Sequence, residues 1–147
     1  MSNIIPMEQQ HVAQVAALEK LCFSAPWSED SVAGELENSL SVWLICEDRG
    51  KVLGYVGSQT VLDETDMMNI AVLPEARRAG IGERLILSLI ELLKDRGSRS
   101  LTLEVRASNT PAISLYEKLG FLQVGRRPNY YRSPREDALI LRKEWNA

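Results

Sequence analysis

Arg77-Arg78-Ala79-Gly80-Ile81-Gly82 is the stretch of this sequence best suited to hold a ligand. Its two glycines let the backbone turn tightly and come close to a bound group. The strongest helical pattern of the chain begins at the second of them. The first N–H groups of a helix have no intrahelical partner, and the helix dipole favours negative charge there, so the loop suits a phosphate or pyrophosphate. Taken alone, the fragment reads equally well as a tight turn. The chain has no Gly-Lys-Ser/Thr for a P-loop, and the third glycine of a dinucleotide fingerprint is missing. The ligand is therefore expected to be a different phosphorylated cofactor.

The acid–base inventory is narrow. His11 is the only histidine, so a Ser-His-Asp or Cys-His nucleophile would have to use it, and no suitable serine motif accompanies it. A zinc site would need ligands the chain hardly possesses, so no metal is expected. Cys22 and Cys46 sit in apolar surroundings and read as reduced core thiols. Carboxylates, tyrosines, backbone and water remain. Glu104 lies in the alternating run Ser100–Arg106, facing away from Leu103 and Val105. By pattern it is a polar residue on the wet side of a strand, paired with Arg106. Tyr116 shares a helix face with Ala112, Leu115 and Leu119, which makes it a core tyrosine by pattern. Trp27 reads as core, and Asp63, Glu64 and Asp66 as a solvated turn or, less simply, a lure for a basic tail. Arginines cluster at 77–78 and at 126, 127, 132 and 135, a pattern that suits a phosphorylated small molecule or plain solvation.

The elements that must position these residues follow from periodicity. A chain of 147 residues with 45% hydrophobic and 25% charged content fits one domain, residues 1–147. The net charge of −3 gives no reason to expect nucleic-acid binding. No stretch approaches the ~20 apolar residues of a membrane span, and the N-terminus lacks the pattern of a secretory signal. A cytoplasmic location is the expectation. Residues 3–6 read as a strand and Gln9–Phe23 as a helix; Ser28 caps a second helix carrying Val32 and Leu36. Strands follow at Ser41–Glu47, Val52–Leu62 and Met67–Leu73, the first two joined by a hairpin turn at 48–51. Leu85, Ile86, Leu89, Ile90 and Leu93 make one face of a helix over Gly82–Arg96. After the strand Ser100–Arg106, Thr110 caps a helix with Pro111 at its first position. Strands at Phe121–Tyr131 and Ala138–Lys143 close a mixed α/β layered domain. Strand, helix, strand across residues 67–106 implies a right-handed parallel crossover.

The glycine loop, preceded by Asn69-Ile70-Ala71-Val72-Leu73-Pro74, resembles the Gln/Arg-x-x-Gly-x-Gly/Ala signature of the GNAT acetyltransferase superfamily. The runs Leu103–Asn109 and Ala112–Phe121, with Pro26-Trp27-Ser28, Asn129-Tyr130-Tyr131 and Arg135-Glu136-Asp137-Ala138, resemble a narrower group. That is the RimI type, which acetylates the N-terminal alanine of a small-subunit ribosomal protein. The resemblance implies a central, mostly antiparallel mixed sheet splayed between its fourth and fifth strands, with helices on both faces and acetyl-CoA as cosubstrate. Ile70, Ala71 and Val72 would then hydrogen-bond the pantetheine arm, with the Val72 N–H beside the thioester carbonyl. Main-chain N–H groups of Arg78, Ala79, Gly80, Ile81, Gly82 and Glu83 would cradle the pyrophosphate, and Asn109 would contact the cofactor. Glu104 would be the general base and Tyr116 the general acid, with transfer direct to the amine. Trp27, Tyr130 and Tyr131 would border the groove of the acceptor, a ribosomal-protein N-terminus.

Ala76 and Ala79 depart from the larger residues common near that loop, and Pro128 precedes the acceptor strand. A GNAT enzyme acting on another protein N-terminus or on a small amine stays open. So does a coenzyme A-binding sensor without catalysis, against which the presence of both Glu104 and Tyr116 speaks.

Overall fold

The computed structural model describes residues 2–145. Eleven main elements follow in order: β1 (Asn3–Pro6), α1 (Val12–Cys22), α2 (Glu29–Glu35), β2 (Ser41–Asp48), β3 (Lys51–Val61) and β4 (Glu64–Val72), then α3 (Ile81–Asp95), β5 (Ser100–Arg106), α4 (Thr110–Lys118), β6 (Leu122–Arg132) and β7 (Arg135–Glu144). The seven strands form one sheet in the order β1-β2-β3-β4-β5-β7-β6. Only β4 and β5 pair in parallel; every other neighbouring pair is antiparallel. The expected mixed, mostly antiparallel sheet is present. No helix among the described residues is long and apolar enough to cross a membrane.

Strand β2 explains why the sheet carries helices on both faces. Val42, Leu44 and Cys46 point into a cluster with Leu85, Ile86 and Leu89 of α3 and Tyr116 of α4. Trp43 and Ile45 alternate into the opposite cluster, with Val12, Val15 and Leu18 of α1 and Val32 of α2. A strand with five successive apolar residues, 42–46, has two faces to bury.

Several boundaries differ from the pattern reading. Strand β4 begins at Glu64, because its first residues pair on both sides, with Thr60 and Val61 of β3 and with Ser100–Thr102 of β5. Thr65 is buried, and its hydroxyl lies 2.8 Å from those of both Thr60 and Ser98. Glu64 and Asp66 therefore stand in the strand, exposed, and only Asp63 stays in the turn. Asp63 faces Arg99 at 3.5 Å and Glu64 faces Arg142 at 2.9 Å, as solvated ion pairs. The cap of α4 is Asn109 and not Thr110: the Asn109 Oδ1 accepts the Ala112 N–H at 3.3 Å. Ser28 caps α2 as expected, accepting from Ser31 N at 3.1 Å. The lone histidine is a core residue. His11 accepts the Glu8 N–H on Nδ1 at 2.9 Å, so its ring proton belongs on Nε2, 3.1 Å from Glu47 Oε2.

Trp43 lies across the sheet from Gly57, and a Cβ at residue 57 would stand 2.4 Å from the indole. Gly57→Ala is expected to destabilise the fold by about 3 kcal/mol, the upper range for overpacking against a ring that cannot retreat. Urea unfolding measures this, and a wild-type midpoint would mean that Trp43 moves aside freely.

Candidate active site

The sheet is open where β4 and β5 should continue together. Their pairing is confined to Glu64–Asp66 against Ser100–Thr102. Beyond it, Met67–Val72 and Leu103–Arg106 run on without a ladder between them. The local cause is in β4. Gly57 pairs with Asn69 but Ser58 pairs with Met67, so Met68 is an extra residue, a β-bulge. A bulge bends its strand and adds twist, and here the strand leaves β5 at once. Residues 70–72 thus keep their ladder to β3 on one side while their other edge faces the gap.

The gap leads to the glycine loop. Gly80 caps α3 with left-handed backbone (φ 74°) and offers no side-chain acceptor to the first N–H groups of the helix. Arg78 is also left-handed (φ 70°), a conformation that costs a side-chain-bearing residue on the order of 1 kcal/mol. A cavity of about 340 Å³ opens here, lined by Val72, Arg77, Arg78, Gly80, Gly82 and Leu115 among others. Residues 80–83 at the start of α3 form one side of it, and the unpaired N–H groups of a helix start suit a diphosphate. The side chains contribute less than their charges suggest. Arg77 turns back to the Val72 carbonyl (3.2 Å) and to Cys22 Sγ (3.5 Å), and Glu83 is ion-paired with Lys118 at 2.7 Å. Ala76 lines the same cavity and leaves its wall low.

Glu104 and Tyr116 lie on opposite faces of the sheet. Leu103 and Val105 point into the α3/α4 cluster, so Glu104 between them points to the other face, about 30% exposed. Tyr116 packs edge-on against Phe121, ring centres 5.6 Å apart. Burial, with a smaller contribution from Tyr131, holds its phenol well above the ordinary tyrosine range, so it keeps its proton at neutral pH. Tyr131 stands electrostatically between the two: burial first, then the charge of Glu104, pushes its phenol up to about 12. Burial and then Glu104 also raise Tyr130.

The expected Glu104–Arg106 pair is absent. Glu104 Oε2 lies 3.0 Å from Arg127 Nε of β6. Arg106 is drawn the other way, to Glu136 (3.3 Å), to the carbonyls of Ser133 and Pro134, and over the Tyr131 ring at 4.2 Å. Between Arg127 and Tyr131 strand β6 leaves its ladder, with Asn129 at φ 53° and its N–H bonded to Asp137 at 2.8 Å. Pro128 falls in this interruption, where its missing N–H removes no ladder bond. The oxygen of the Asn109 side chain is engaged in capping α4, which leaves its amide N–H₂ as the group available to a ligand.

Sequence reasoning passed over Glu19. Its carboxylate, fully buried, accepts from Trp27 N (2.8 Å), from Asn69 Nδ2 (2.9 Å) and from the Tyr55 hydroxyl. It thereby ties the loop before α2 to the bulged part of β4. The available signal was spacing, since Val12, Val15 and Glu19 follow the 3–4 rhythm of the buried stripe of α1. Trp27 meets Trp43 edge-on at 5.4 Å, and Trp43 stacks on Tyr55 at 5.8 Å, so its ring is largely a packing element. Among the described residues no group of three or more His, Cys, Asp or Glu is placed to hold a metal ion.

A sheet parted beside a glycine-started helix defines a class, and the chain belongs to it: residues 12–121 match the Acetyltransferase (GNAT) family. It is an acetyl-CoA-dependent acetyltransferase. Ribosomal protein bS18-alanine N-acetyltransferase of Escherichia coli K12 is 40% identical over 144 residues, 96% of each chain. The enzyme of that name in Haemophilus influenzae is 38% identical over 145 residues, 96% of this chain and 97% of its own. The crystal structure of the ribosomal-protein-S18-alanine N-acetyltransferase from Escherichia coli superposes with a TM-score of 0.92 at 37% identity, covering all of this chain and 96% of its own.

Proposed function

We propose that this chain transfers the acetyl group of acetyl-CoA to the N-terminal alanine amine of the small-subunit ribosomal protein bS18, in the cytoplasm and as one catalytic domain. The observation that carries the reading is a carboxylate, Glu104, placed beside an opened strand edge that ends at an anion-suited helix start. The names borne by relatives at 38–40% identity over nearly the whole chain support the choice of acceptor.

The main-chain N–H groups of residues 78–83 hold the pyrophosphate, and the free edge of Ile70, Ala71 and Val72 holds the pantetheine arm. The Asn109 amide reaches the cofactor at the end of β5. Acetyl-CoA supplies an activated acyl group as its thioester. A protein α-amine has a reference pKa of about 7.7–8.0, so at neutral pH most of it is protonated and not nucleophilic. Glu104 takes that proton, directly or through one water, and the freed lone pair attacks the thioester without an acetyl-enzyme stage. The Val72 N–H stabilises the developing oxyanion. Tyr116, neutral in its buried setting, gives a proton to the leaving thiolate from the opposite face of the sheet. Tyr130 and Tyr131, with the loop of Trp27, line the acceptor side.

Offering the enzyme acetyl-CoA with an alanine-starting bS18 peptide, beside polyamines and amino sugars, tests the acceptor. Acetylation of the peptide α-amine is the expected product; acetylation of the free amines alone would replace this reading with that of a small-amine acetyltransferase. Cofactor binding is tested separately. At 100 times its Kd, acetyl-CoA should stabilise the fold by about 2.7 kcal/mol, a rise in melting temperature of roughly 5–10 °C. A melting temperature unmoved by a large excess would reject the proposed cofactor site.

A further inference from the structure

We propose that Arg127 is a resident cation on the Glu104 carboxylate and that the ammonium of an entering acceptor takes its place, which makes Arg127 a determinant of acceptor affinity. The inference rests on reading Glu104 as the base. It starts from an oddity of the contact: Glu104 Oε2 is buried and has no hydrogen-bond partner, although Arg127 Nε stands 3.0 Å away. The guanidinium supplies charge without aiming an N–H at the oxygen. A lone pair left so is costly, and a planar guanidinium arriving from the neighbouring edge strand satisfies it poorly. An ammonium is a compact charge with three freely directed donors, and it suits the vacant lone pair better.

The surroundings decide which cation can leave. Arg106 is committed to Glu136, to two carbonyls and to the face of Tyr131. Arg127 is 58% exposed, its guanidinium lies 5.5 Å from the centre of the Tyr130 ring, and the β6 ladder is interrupted directly after it. An arginine so placed can swing toward solvent at the loss of one loose contact with the half-exposed Tyr130 ring. A pair whose cation is mostly exposed and aims no N–H at the carboxylate is weak, so exchange is cheap and the resident cation competes mildly with the acceptor.

The test uses the full chain with the alanine-starting peptide at saturating acetyl-CoA, and peptide binding in the presence of CoA by titration calorimetry. Arg127→Met is expected to lower the peptide KM and Kd about two- to fivefold, while Arg127→Lys, which keeps a cation, stays near wild type. In a Glu104→Gln background the same Met substitution should leave Kd unchanged, because there is no carboxylate to compete for. An unchanged or raised Kd in Arg127→Met, or an equal drop in the Glu104→Gln background, would overturn the proposal. Failure of the base reading looks different: Glu104→Gln alone would turn over at the wild-type rate.

Discussion

Glu104→Gln is expected to lower kcat by about 10²–10⁴-fold while acetyl-CoA binding persists. Glutamine keeps the size and one hydrogen-bond acceptor of glutamate but cannot take a proton, so the loss measures general-base catalysis, whose usual worth is of that order. The site offers no ready substitute on that face of the sheet. The phenols of Tyr130 and Tyr131 are both raised, Tyr131 to about 12, and neither is a base at neutral pH. The only histidine is spent in the core, between Glu8 and Glu47. The variant should depend on acceptor that is already neutral. Its rate should therefore climb about tenfold per pH unit below the amine pKa of about 7.7–8.0, and level off above it. Single-turnover rates against pH, with cofactor affinity measured alongside, give both quantities. A variant as fast as wild type at neutral pH removes Glu104 from the chemistry.

Glu19→Ala is expected to destabilise the fold by about 3–5 kcal/mol and to loosen the acceptor side of the site. Three donors lose their acceptor at once: the Tyr55 hydroxyl, the Asn69 amide and the Trp27 N–H. Each buried donor left unpaired costs about 1–3 kcal/mol. Relaxation of the exposed loop around Trp27 recovers part of that sum. Glu19→Gln should be milder, since one oxygen survives and the Tyr55 hydroxyl can turn to accept. The pH dependence has a definite sign. Burial raises the Glu19 carboxyl above its ordinary value of 4.5, against the lowering effect of Trp27 and Asn69. The folded state then binds its proton more tightly than the unfolded state does. Stability due to this residue is full below the ordinary carboxylate range and falls as pH rises through the raised value. Against Glu19→Gln, which does not titrate, wild type should lose ground from acidic to neutral pH in urea melts. Equal pH profiles for the two would show that the donors offset the burial and leave the carboxyl with the same proton affinity folded and unfolded.

Much of this architecture can be read without coordinates, for reasons that are local. Alternation over Ser100–Arg106, the five-residue apolar stripe of α3 and a glycine loop at its start are short-range facts, decided by which side chains lie two, three or four residues apart. The same is true of Ser28 as a cap. Where two local solutions competed, spacing could not choose: Asn109 and Thr110 are both good caps, and it is the Asn109 oxygen that meets the Ala112 N–H.

What periodicity could not supply is whatever depends on a partner far along the chain. The bulge at Met68 shows only in the register of β4 against β3, where Gly57 pairs with Asn69 and Ser58 with Met67, and the ladder between β4 and β5 ends just before it. Glu104 meets Arg127 of β6, across β7, and not Arg106 of its own strand, whose guanidinium is held by Glu136 and the carbonyls of residues 133 and 134. Glu19 becomes a three-donor hub only when residues 27, 55 and 69 close around it. By itself the sequence determined the elements, their order and the kinds of side chain on each face, since those rest on neighbours within a turn or two. Only the tertiary structure decided which charges meet and where the sheet opens, because both are set by contacts between residues tens of positions apart.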